Sequence, residues 1–158
     1  MSESDLLDFG ESLPGVVVMT ADEASGAPAS AWGDSFFYYD PDDDDANRRM
    51  PFTTIVVSNY PGFDESSELD RPGVHRLNIA VGRAVYAELL GHPPDEHTAR
   101  SGDYDYAELD RILPHPIYAS QAWVSILNPG ERTGDQARAL ISAARDLAAQ
   151  RHDRRTSL

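Results

Sequence analysis

Six residues of this chain combine into the chemistry of a small-molecule pocket, provided that they share one face of a sheet. Trp32, Asp34, Arg76, Asn78, Trp123 and Ser125 stand at alternating positions in segments of strand character. Side chains two apart in a strand project to the same side. Two indoles would then supply apolar walls, and a carboxylate, a guanidinium, an amide and a hydroxyl would supply a few directed polar groups. Arg76 suits a planar anion, and Asp34 is either its partner or a general base. The same residues also fit an ordinary solvated sheet face with an Asp–Arg pair and aromatic cross-strand contacts.

The histidines add one candidate. His115 stands between Pro114 and Pro116 in a rigid turn, as a structural hydrogen-bonding group or, at a pocket rim, as a general acid or base. His75 shares the strand parity of Leu77 and Ile79, which assigns it to packing. His92 and His97 lie in a Pro-containing loop without the one-face geometry of a helical zinc pair, so no metal site is expected there. The run from Asp42 to Asp45 neither spaces its acids nor holds a glycine, as a Ca²⁺ loop would, and reads as a mobile, solvated loop. No nucleophile elbow, phosphate loop or dinucleotide fingerprint occurs, and no cofactor is expected. The absence of cysteine excludes disulfides, thiolate nucleophiles and Cys-based metal centres.

The elements that must position these residues follow from periodicity. A helix is expected over residues 4–13, capped by Ser2 or Ser4, weakened by Gly10 and broken by Pro14-Gly15. Strands are expected at Val16–Met19, Trp32–Tyr39, Phe52–Ser58, Val74–Val81 and Ala119–Leu127. A helix from Arg83 to Leu90 ends at Gly91. Asp105 and Glu108 have capping-box spacing and predict a short helix ended by Pro114. A second capping box at Thr133 opens the clearest helix, with Ala137, Leu140, Ile141, Ala144, Leu147 and Ala148 on one face. Strands in succession without crossover helices imply an antiparallel sheet. The expected fold is therefore α+β: about five antiparallel strands, covered on one face by the N- and C-terminal helices and partly open on the other.

At 158 residues, with 41% hydrophobic content, the chain is expected to form one domain over residues 1–150, followed by a frayed tail at 151–158. The formal charge is −14, and all 13 basic residues are arginine. Such a field repels nucleic acid and anionic membranes, so neither is an expected partner. GC-rich coding and adaptation to high salt both account for it. The first residues lack a basic start and an apolar run, and no apolar stretch approaches a membrane span, so a cytoplasmic location is expected. Oligomeric state is left open.

Several stretches resemble an uncharacterised bacterial family known only as a domain of unknown function. They include Leu13-Pro14-Gly15-Val16, Trp32-Gly33-Asp34-Ser35-Phe36-Phe37, Tyr60-Pro61-Gly62-Phe63-Asp64, and Asp70-Arg71-Pro72-Gly73-Val74 followed by Arg76-Leu77-Asn78-Ile79. Leu113-Pro114-His115-Pro116 and Trp123-Val124-Ser125 continue the pattern. His75 departs from it, since an aromatic such as Phe is usual there. The order of elements also looks like the MmcQ/YjbR group, which implies a compact α+β fold similar to that of CyaY. The DNA-binding role suggested for that group sits badly with a charge of −14.

Three functions fit these residues. The first is binding of an anionic or aromatic small molecule on the open sheet face. The second is a small cofactor-independent enzyme, a hydrolase, lyase or cyclase, with Asp34 or His115 as acid or base. The third is an acidic module that meets a basic protein partner.

Overall fold

A computed structural model describes residues 1–44 and 50–156; Asp45, the last residue of the acidic run, lies outside the described residues. The chain opens with α1 (Glu3–Ser12), whose first turn is closed by a reciprocal capping box. The Ser2 hydroxyl accepts from the Asp5 N–H at 3.1 Å, and the Asp5 carboxylate accepts from the Ser2 N–H at 3.0 Å. Gly10 lies buried against Phe37, so close that an added methyl group would stand 2.4 Å from the ring. The glycine that weakens this helix in isolation is thus what lets it dock.

The strands are β1 (Val16–Thr20), β2 (Ser35–Tyr39), β3 (Thr53–Val56), β4 (Arg76–Ala80), β5 (Ile112–Pro114) and β6 (Trp123–Leu127). They form one antiparallel sheet in the order β1-β2-β3-β4-β6-β5, so β1 and β5 are its edges. Between β4 and β5 come α2 (Arg83–Leu90), ended by the left-handed Gly91, and the single turn α3 (His97–Arg100). The last element is α4 (Gly134–Thr156).

One sheet face carries the main core. Phe37, Ile55, Leu77, Ile79, Val124 and Ile126 meet Leu6 of α1, Tyr86 of α2 and Ala137, Ile141 and Ala144 of α4. The period-2 alternation of the strands and the 3.6-residue stripe of α4 therefore converge on one layer. The opposite face is partly roofed by two loops. Leu69 and Leu113 bury a smaller cluster with Val56 and Leu127. Arg71 ties these loops together by donating to the carbonyls of Ser67 and Ala107, both at 3.0 Å. What the loops leave uncovered is a cavity. No described helix is long and apolar enough to cross a membrane.

The structure corrects four expectations. The sheet has six strands among the described residues, not five, because residues 105–114 do not form a helix. Asp105 closes only a local turn onto the Ala107 N–H, Asp110 adopts φ 53°, and its N–H donates to the Leu127 carbonyl at 2.7 Å. The segment is thereby laid along β6 as β5, where an edge position tolerates Pro114. The second strand begins at Ser35 rather than Trp32: residues 29–31 form a 3₁₀ turn, and Gly33 at φ 91° turns the chain. The Thr133 hydroxyl is spent on the Asp110 carboxylate. Finally, α4 continues through Thr156, over residues where a frayed tail is expected, and the His152 ring stands edge-on to Tyr39 at 5.4 Å.

Candidate functional site

The cavity on the second face lies over β2, β3, β4 and β6 and encloses about 330 Å³. The alternation that buries Leu77 and Ile79 turns Arg76 and Asn78 the other way, and the sheet register sets them beside their neighbours. Thr54 of β3, Asn78 of β4 and Ser125 of β6 stand in one row across the sheet. Asn78 Nδ2 donates to Thr54 Oγ1 at 3.0 Å, and its Oδ1 accepts from Ser125 Oγ at 2.8 Å and from Arg76 Nε at 2.9 Å. The floor is thus a closed polar network, with its buried groups satisfied by one another.

Arg76 is the largest fully buried side chain of the chain's described residues. Its partner is Asp64, not Asp34. The guanidinium holds Asp64 in a fork, with Nη1 to Oδ1 at 3.0 Å and Nη2 to Oδ2 at 2.6 Å, and Nη1 also donates to Ser67 Oγ at 2.9 Å. Burial works against ionisation of Asp64, but the bonds and charge of Arg76 outweigh it and hold the carboxyl below its ordinary value. Sequence reasoning missed Asp64 because it sits in the turn closed by the Tyr60–Asp64 bridge, remote from any strand. The available signal was Arg76 itself, since a cation on a buried strand demands a carboxylate nearby.

Asp34 is also buried at the cavity wall. Its Oδ1 accepts from the Val57 N–H at 3.0 Å and its Oδ2 from the Tyr60 hydroxyl at 2.5 Å. Burial raises its pKa, opposed in part by those bonds and by Arg76. Tyr60 is pushed up in turn by burial and by the Asp34 carboxylate.

His115 lies between Tyr118 and Trp123, with ring centroids 4.9 and 6.4 Å away, and is 3% exposed. Its Nδ1 accepts from the backbone N–H groups of Ile117 and Tyr118, both at 3.0 Å. Burial first, and the Arg76 charge second, push its pKa down to about 3. The ring is therefore neutral at ordinary pH. The lone pair of Nδ1, where a proton would be taken up, already receives two N–H groups.

The remaining sequence-predicted residues separate. Trp123 lines the cavity with Phe36, Phe63 and Ile117. Ser125 lies beneath it, bonded to Asn78. Trp32 does not reach it: the indole is 43% exposed and its Nε1 donates to the Ala27 carbonyl at 2.9 Å. Among the described residues, no group of three or more His, Asp or Glu is placed to hold a metal ion. His92 instead meets the Tyr104 hydroxyl through Nε2 at 2.8 Å, and His97 packs edge-on against Tyr106. His75 is buried, with Nε2 unpartnered among the described residues and its pKa lowered by burial.

No curated protein and no solved structure matches the chain. Its residues 1–157, which include every strand and turn around the cavity, match a family of unknown function, DUF6194, and the chain belongs to that family.

Proposed function

We propose that the chain is a binding module for a small, uncharged aromatic molecule seated in the cavity over β2, β3, β4 and β6. The observation that carries this reading is the gathering of exposed apolar side chains at one place. Met50, Phe63, Ile117 and Tyr118 are all large exposed hydrophobics, and all line that cavity. A solvated apolar patch around a concave, partly polar floor is the usual form of a ligand site. An anionic ligand fits less well. The charge of Arg76 is met by Asp64, and the chain carries −14 overall. Arg76 organises the floor, and Trp123, Phe63 and Ile117 supply the contact.

The test uses the two indoles as reporter and control. In a ¹H–¹⁵N spectrum, 2-acetylnaphthalene should shift the Trp123 indole N–H saturably and leave that of Trp32 in place. Ile117→Asp should weaken the titration about tenfold or more, by putting a charge on the apolar rim. Equal shifts at both indoles, or an unchanged midpoint in Ile117→Asp, would overturn the reading.

A second reading, a small cofactor-independent enzyme, is favoured by one observation: the buried Asp34 carboxyl, with its raised pKa, faces the same cavity. Asp34 then serves as the base, with the His115 N–H as the acid on the same cavity, and Asp34→Asn should abolish any turnover. An MmcQ/YjbR-like layout belongs to the same proposal, rests on the order of elements, and lends no function.

A further inference from the structure

Resting on that reading of the cavity, we infer that His115 is its specificity-determining donor, and that the ligand it selects is an aromatic ring bearing a carbonyl or similar neutral acceptor. Two backbone N–H groups, of Ile117 and Tyr118, point at Nδ1 from 3.0 Å each. Nδ1 must therefore present a lone pair, and a neutral imidazole must then carry its one proton on Nε2. The tautomer is set by the chain's own turn, in which Pro114 and Pro116 flank the histidine. Nε2 makes no hydrogen bond among the described residues, and it is not among the buried polar atoms left without a partner. The ring itself lines the cavity, with Tyr118 and Trp123 on either side. An N–H held in one direction between two aromatic walls is a preorganised donor.

Part of the cavity's polar lining is already engaged, whereas Tyr118, Gln121 and Trp123 also bring donors to its wall, and His115→Asn leaves those three in place. Thr54, Asn78 and Arg76 bond one another or Asp64, and the Tyr60 hydroxyl is given to Asp34. The Asp34 and Asp64 carboxylates accept and cannot donate. A ligand acceptor would meet the His115 N–H with its ring stacked beside Trp123. A ligand without an acceptor would leave that N–H dry and unpaired, which lowers its affinity relative to the matched ketone.

The experiment compares two probes of one shape, 2-acetylnaphthalene and 2-ethylnaphthalene. The ketone should bind about tenfold tighter than the hydrocarbon, the range of one neutral hydrogen bond. His115→Asn places an amide oxygen where Nδ1 accepts the two N–H groups, and removes the Nε2 donor. The fold should persist and the tenfold preference should vanish. On the unaltered protein, the ¹⁵N spectrum of the His115 ring should show the proton on Nε2, and that nitrogen should shift with the ketone alone. Equal affinities for the two probes, or a proton on Nδ1, overturn the donor role while leaving an aromatic cavity. Binding of neither probe overturns the cavity reading and the donor role together.

Discussion

Asp64 and Arg76 are joined by two parallel bonds of 3.0 and 2.6 Å, at the floor of a cavity whose walls are mostly apolar. The pair holds two things at once. It lets a cation sit inside the sheet, and it fastens the turn closed by Tyr60 and Asp64 over the second face.

Breaking this pair from one side should be costly. Arg76→Ala or Asp64→Asn should lower stability by about 3–5 kcal/mol, since the remaining partner is left desolvated. Replacing both together with Met and Leu should recover most of that loss. Urea denaturation of the four proteins measures both effects. A single variant as stable as the parent would show that solvent compensates the orphaned group.

Asp110 should act as a cap for α4 from outside the helix. Its carboxylate accepts from the N–H groups of Gly130, Arg132 and Thr133 at 2.9, 3.0 and 3.0 Å, and from the Thr133 hydroxyl at 2.6 Å. The slight burial of the group works against ionisation, but these bonds prevail and bring its pKa down to about 2. A carboxylate with a depressed folded pKa stabilises fully above its unfolded value and loses that contribution as pH falls through the folded one. Asp110→Asn should therefore cost about 1–2 kcal/mol at pH 7, allowing for solvent screening, and nothing below pH ~2. A constant difference between the two proteins from pH 7 to pH 2 would refute the capping role.

His115 should make the fold acid-sensitive in the opposite manner to a surface histidine. It is approached by Arg76 of β4, Asp64 of the loop before it and His97 of α3, and its pKa falls from 6.5 to about 3. Between those values the unfolded chain takes up a proton that the folded ring refuses, so stability falls as pH drops from 6.5 toward 3. The slope is about 1.4 kcal/mol per pH unit for such a group. His75 and His97, also lowered, add to it. In His115→Asn the denaturation midpoint should depend less steeply on pH over this window. An unchanged slope would mean that the folded ring does protonate.

Gly10→Ala should destabilise the protein, although alanine favours an isolated helix by ~1 kcal/mol. The added methyl would meet Phe37 at 2.4 Å, and the ring is fully buried. Overpacking of this kind costs about 1–3 kcal/mol, which outweighs the gain in propensity. A raised midpoint in thermal denaturation would show that Phe37 has room to turn.

Much of the site was legible because it lies on strands. Leu77, Ile79, Arg76 and Asn78 sort onto opposite faces by alternation alone, and so do Phe36 and Phe37. A serine cap, offered at Ser2 or Ser4 and found at Ser2, and the left-handed Gly91 are also local signals, and both are present. What escaped depended on distant partners. Asp64 reaches Arg76 from a turn, and only the fold brings them together. Trp32 has the correct parity for the cavity face, but Gly33 interrupts the strand between it and Asp34. The stretch that became β5 carries a helix-start signal at Asp105, and it lost to backbone bonds that β6 offers and no local pattern encodes.

The short, proline-ended β5 has a consequence for how copies of this protein would meet. Growth of a sheet from one molecule into the next needs a row of outward N–H and C=O groups along an edge. β5 has three residues, one of them without an N–H, so that border gives an incoming strand little to bond. β1, five residues from Val16 to Thr20, is the longer border and starts with three consecutive valines. Aggregation by strand addition is thereby directed to β1, and a charge placed at Val17 would guard against fibril formation where one placed in β5 would change nothing.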